Sequence, residues 1–181
     1  MKKGSKLAAF VIVLTLAAAV GTVFSYMFRR TEEKNNRFDT AKVSCGVQEL
    51  TDENVTEKTS IKVKNTGNID AYLRVRLVSY WVQTAEDGDP EIAGKPSITP
   101  AVEPGEGWIA GPSNTYYYQN PVSPNDLTNE LLSSKITLRE DDGYRQVIEV
   151  FAEAIQSKPA SSVMESWNVT LDADGKIVSV S

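Results

Sequence analysis

The sequence predicts an all-β domain, an antiparallel sandwich or jelly roll with one short helix near its C-terminal end, set behind an apolar N-terminal segment. Three observations predict it. Beyond residue 37 the apolar side chains recur with a period of two, the mark of strands that bury one face. Gly, Pro, Asn and Asp clusters punctuate these runs, giving about eight short strands, a set that closes as a sandwich or jelly roll. Before them lies a long uncharged stretch, and 181 residues suit one domain plus such a segment.

Residues 1–28 read MKKGSKLAAFVIVLTLAAAVGTVFSYMF. Lys2, Lys3 and Lys6 precede an uncharged, mostly apolar run from Leu7 to Phe28, and Arg29 and Arg30 follow it. The lysines favour the cytoplasmic side, and the apolar run enters the bilayer as a helix. About 20 residues span the hydrocarbon, so the run is long enough to anchor the chain. A cleavable signal is the favoured expectation: Gly21 and Thr22 weaken the helix late, and Val23 and Ser25 are small enough to precede a signal-peptidase cut between Ser25 and Tyr26. No polar face recurs at helical spacing, as a helix packed in a globular core would show. The chain is therefore expected to be exported, with residues 1–25 a signal peptide or a retained membrane anchor.

Residues 26–37 include the polar stretch RRTEEKNNR, expected as a flexible lead-in. The β-sandwich domain is assigned to residues 38–167. Its first strand is expected from Phe38 to Leu50, with Val43, Cys45 and Val47 on one side. Ile61 and Val63 alternate with Ser60, Lys62 and Lys64 in a second. Asn65-Thr66-Gly67-Asn68 forms a tight connection, its Asn and Gly tolerating positive φ. From Ile69 to Trp81, odd positions (Ala71, Leu73, Val75, Leu77) point inward, while Asp70, Tyr72, Arg74 and Arg76 point outward. On that outward face the two arginines are expected in solvent, the alternative being pairing with acids on a neighbouring strand or a partner.

Residues 84–106 read as a long exposed loop. Trp108-Ile109 and Tyr116–Tyr118 form a hairpin; Lys135–Leu138 and Gln146–Gln156 are further strands about a turn at Glu140–Gly143. A short helix opens near Ser157-Lys158-Pro159 and runs to Trp167, proline suiting a first turn. Residues 168–181 read as a C-terminal hairpin or tail about Ala173-Asp174-Gly175.

Composition narrows the function. The chain has 19 basic and 24 acidic side chains, a net charge of −5, and three of the lysines sit in the leader, so nucleic acid is not an expected partner. It has no histidine, the commonest neutral-pH base and zinc ligand. With one cysteine, Cys45, it forms no internal disulfide, and that residue is expected as a buried small hydrophobe. The acidic turn Glu140-Asp141-Asp142 and the pair Asp172 and Asp174 fit solvated turns better than calcium loops, the latter lacking the bidentate glutamate. No catalytic residue, metal ligand or cofactor is assigned. Trp108, Tyr116, Tyr117 and Tyr118 are the candidate interaction surface, weighed as a sugar-stacking platform against packing, since alternate tyrosines face opposite sides.

Two stretches carry a resemblance to a known group. GTVFSYMFRRTEEKNNRF followed by TAKV resembles the signal region of bacterial exported proteins cut by the SipW-type signal peptidase. KVKNTGNIDAYLRVRLVSYW, GWIAGPSNTYYYQNPVSPNDLTNELLSSKITL and QVIEVFAEAIQS are similar to the body of TasA/camelysin (CalY)-like proteins, among them clostridial-type relatives. The resemblance covers residues 15–167; the final hairpin lies outside it. It implies a jelly-roll-like sandwich, a cell-surface or biofilm-matrix role, and filaments in which an N-terminal strand of one subunit completes the sheet of the next. Tyr26–Phe28 and Phe38–Val47 are the segments of this chain in that position. Camelysin also brings a metal-dependent peptidase reading, against which stands the absence of histidine and of any HExxH motif. A ligand- or carbohydrate-binding module is the other alternative.

Overall fold

The computed structural model describes residues 40–51, 56–83, 91–93 and 95–181. The expected signal helix, the cut between Ser25 and Tyr26, the lead-in 26–37 and the first two residues of the expected first strand lie outside these residues. Thr40–Ser181 form a compact, all-β antiparallel unit with one short helix.

Strands arise where the period of two buries one face. In β3 (Ala71–Gln83) the odd side chains Leu73, Val75 and Leu77 are at most 2 % exposed. β9 (Tyr144–Gln156) pairs with β3 along its whole length, Ala71 opposite Gln156 and Gln83 opposite Tyr144. β6 (Thr115–Tyr118) adds to the other edge of β3, β5 (Trp108–Ala110) to β6, the short β8 (Glu140–Asp141) to β9, and β4 (Glu91–Ile92) to the end of β3. A second sheet runs β1 (Cys45–Thr51), β2 (Glu57–Asn65), β7 (Ile136–Thr137). Ile61 and Val63 of β2 share one apolar core with Leu73, Val75 and Leu77 of β3, Tyr116 of β6 and Ile148 of β9, so the two sheets face each other.

The turn after β2 works differently from the sequence expectation. None of residues 65–68 has positive φ. Instead the buried Asn65 amide bonds the carbonyls of Ile69 and Val122, both at 2.8 Å, and its oxygen accepts the Gly67 N–H at 2.9 Å. Gly67 is needed for close approach: a Cβ there would lie 2.3 Å from the Lys42 carbonyl. The first strand also starts later than Phe38–Leu50. Residues 40–44 are fastened to this turn, Asn68 N–H to Lys42 O at 3.0 Å and Thr66 N–H to Ser44 O at 2.9 Å, and ladder pairing begins at Cys45.

The outward face of β3 is not simply solvated. Helix α1 (Ala160–Trp167) and the hairpin β10 (Val169–Leu171) and β11 (Ile177–Val180) lie over it, and Tyr72, Tyr117, Val163, Trp167, Val169 and Ile177 form a second core there. Tyr72, expected outward, is 2 % exposed and donates its hydroxyl to the Gly175 carbonyl. Arg74 stacks over Trp167, 4.7 Å from the ring centroid, and pairs with Glu153. The helix starts three residues later than Ser157 and ends at Asn168 in the left-handed conformation, which asparagine tolerates. Residues 168–181 thus belong to the domain.

Candidate functional site

A strand at a sheet margin leaves one row of backbone donors and acceptors unpaired, which another extended chain can satisfy. Two such margins adjoin here. Among the described residues, β1 pairs only with β2, and β9 meets β8 only at Tyr144 and Arg145. They lie close to each other, one in each sheet, and the seam between the sheets runs between them.

The direction of the free groups on β9 follows from two hydrogen bonds. The Gln146 N–H donates to the Arg139 carbonyl at 2.8 Å, and the Ile148 carbonyl accepts Lys58 Nζ at 2.7 Å. Neither partner is in β3, so even-numbered backbone groups of β9 point away from it. Strand alternation puts the N–H and C=O of Val150, Ala152 and Ala154 on that same margin. None of them has a hydrogen-bond partner among the described residues. Their side chains turn inward, half-buried, against the main core, as do Cys45 and Val47 from β1. The seam is therefore a shallow slot of small apolar side chains with a row of free amides along one lip.

Both ends of the slot widen. At one end a cavity of about 480 Å³ wraps the margin of β9, lined by Val47, Glu49, Lys58, Ile148 and Val150 and by Tyr80 and Glu149 from the other face. At the other a cavity of about 500 Å³ lies among Ala41, Asn68, Gln156 and Lys158, beside Thr40, to which the preceding chain is joined. Lys58 closes the first end. Its side chain is 6 % exposed, yet it satisfies its charge with Glu49 at 2.8 Å and the Ile148 carbonyl, bridging the two sheets. Burial pushes the Cys45 thiol up from its ordinary pKa, and the Glu153 carboxylate adds to this.

The candidate interaction surface named from sequence lies elsewhere, and the structure packs it. Trp108, Tyr116 and Tyr117 are each 4 % exposed. Trp108 Nε1 donates to the Asn129 carbonyl at 3.0 Å, and the Tyr116 hydroxyl accepts the Val102 N–H at 3.2 Å. Tyr117 meets Trp167 edge-on on the opposite face, as strand alternation requires. Tyr118 is half-buried with its edge against Trp108, 5.2 Å between centroids. A sugar ring has no open face to stack on at the first three without opening the core.

The acidic turns have local roles. Asp141 pairs with Lys95, whose ammonium lies 4.8 Å from the Trp81 ring centroid. Asp172 accepts the N–H groups of Asp174 and Lys176 at 3.0 and 2.8 Å, shaping the hairpin turn. Among the described residues no three His, Cys, Asp or Glu side chains converge as a metal site, and no helix is long and apolar enough to cross a membrane.

Sequence reasoning named Cys45 and Val47 as one face of a strand but missed Lys58 and the free lip of β9. The signal for the latter is the run Val150, Ala152, Ala154, small apolar residues at alternate positions; which strand ends up at a margin is not written in it. No family model, curated protein or solved structure matches the chain.

Proposed function

We propose that this chain is an exported structural protein of the cell surface or extracellular matrix, acting by contact and not by catalysis, and that it assembles by accepting an extended strand into the β1–β9 seam. The observation that carries the reading is the pair of adjoining free margins with a half-buried apolar lining. Adding a strand there satisfies the amides of Val150, Ala152 and Ala154 and covers Cys45 and Val47 in one step. We read the two facing sheets as a jelly-roll-like sandwich, the architecture the TasA/camelysin resemblance implies.

The donor in this reading is the N-terminal segment of a second copy, starting at Tyr26 once the leader is cut. Tyr26 and Phe28 are two residues apart, so in an extended strand both side chains turn to one face and toward the slot. Export is supported by the lysine-flanked apolar leader, and a non-catalytic role by the absence of histidine.

Ala152→Pro tests the seam. Its N–H is on the free lip, so proline removes a donor that β3 does not use, as edge strands tolerate. The expected result is an unchanged far-ultraviolet circular dichroism spectrum with loss of the filaments that the wild type forms under the electron microscope. Filaments from folded Ala152→Pro, or none from the wild type, refute strand addition at this margin. N-terminal sequencing of protein from medium and membrane fractions checks export separately: Tyr26 as first residue is expected, and intact Met1 in the cytosol refutes it.

A further inference from the structure

We propose that the half of the outer face of β3 and β9 that the described helix and hairpin leave open is a self-association surface, on which a second copy of this chain stacks about a two-fold axis. It lies on the face of the sheet, not on its margin, and does not rest on the strand-addition reading.

The C-terminal helix and hairpin cover this face only as far as the Arg74–Glu153 pair. Beyond it the ladder sets Arg76 opposite Phe151, Val78 opposite Glu149 and Tyr80 opposite Val147. Phe151, in the middle of a long strand, is 46 % exposed. The charges around it are unsatisfied. Arg74 is held by the glutamate directly across, whereas Arg76 and Glu149 are exposed, each faces an apolar side chain, and neither forms an ion pair among the described residues.

This charge pattern selects the occupant. Around Phe151 the patch carries Arg76 and Glu149 on opposite sides of an apolar centre, with Arg145 farther along the same face, so a partner of a single sign meets like charge on one side. A second copy turned about a two-fold axis near Phe151 meets it correctly twice, Arg76 of each subunit against Glu149 of the other, with the two phenylalanines between. Half-buried Val78, Tyr80 and Val147 extend the apolar centre.

A mixing experiment tests this without depending on how any one variant folds. Arg76→Glu presents only acids at this pair of positions and Glu149→Arg only bases, so each repels itself twice, while an equimolar mixture restores both pairs. Full-length protein in density-matched detergent is followed by sedimentation velocity. Dimers are expected for the wild type, an association constant lower by about tenfold or more for each variant alone, and recovery to within about threefold for the mixture. A wild type that stays monomeric, variants that associate as well as the wild type, or a mixture that stays dissociated overturns the proposal.

Discussion

Replacing Lys58 by methionine and Glu49 by glutamine separately asks whether the buried pair holds the sheets together or is merely tolerated. The ammonium is nearly fully buried while the carboxylate is 42 % exposed, so the two partners are not equivalent. Glu49→Gln leaves a buried cation with the Ile148 carbonyl and a neutral amide. A broken buried pair costs about 3–5 kcal/mol when water is excluded. Here solvent reaches the Glu49 side, and screening brings the expected loss to about 1–2 kcal/mol. Lys58→Met removes the ammonium instead; the freed carboxylate stays in water, and the cavity keeps a side chain of similar length. Its cost is the orphaned Ile148 carbonyl, about 1–3 kcal/mol. That is offset by no longer burying a charge, a penalty of several kcal/mol per ion. The expected stability of Lys58→Met is therefore within about 1 kcal/mol of the wild type and above that of Glu49→Gln. Urea unfolding midpoints at a common slope measure the order. A Lys58→Met variant less stable than Glu49→Gln by more than about 1 kcal/mol would refute the reasoning and make the lysine a true cross-sheet clasp.

Other expectations follow from single contacts. Tyr72→Phe deletes the hydroxyl that holds the Gly175 carbonyl and should cost about 1 kcal/mol, with faster amide exchange at Ile177, whose N–H ties the hairpin to the Gln119 carbonyl just past β6. Unchanged exchange there would show that the hairpin is held without the Tyr72 hydroxyl. Gly67→Ala should destabilise by about 2 kcal/mol or more through overlap with the Lys42 carbonyl. Gly143→Ala has open space and should cost only the left-handed strain of about 1–2 kcal/mol; equal losses in thermal melts would count against the close-approach argument. Burial raises the Cys45 thiol and the Tyr72 phenol, helped by Glu153 and Asp172 respectively. An acid whose folded pKa is raised adds stability that is intact below its unfolded pKa and lost as pH climbs through the folded one. Stability should therefore fall on the alkaline side, Cys45→Ala should lessen the fall, and a flat alkaline profile in chemical denaturation would contradict both shifts.

Local pattern alone determined much of the domain. The alternation from Ala71 to Leu77 fixed β3 and its inward face, and Trp108-Ile109, Tyr116–Tyr118 and the Asp174-Gly175 turn were placed as hairpins, because pleat and turn chemistry act between neighbours in the chain. Only the tertiary structure decided which strands became margins, since pairing joins residues far apart: β3 meets β9 across some seventy positions, and nothing inside Val150–Ala154 says that its other lip stays free. Burial of polar groups was equally hidden. Lys58, Asn65 and Gln146 read as surface residues by type, and they are buried because partners on other elements satisfy them. Tyr72 shows the same limit from the other side: its strand position made it outward, and what outward meant depended on a helix and hairpin a hundred residues later folding back over the sheet.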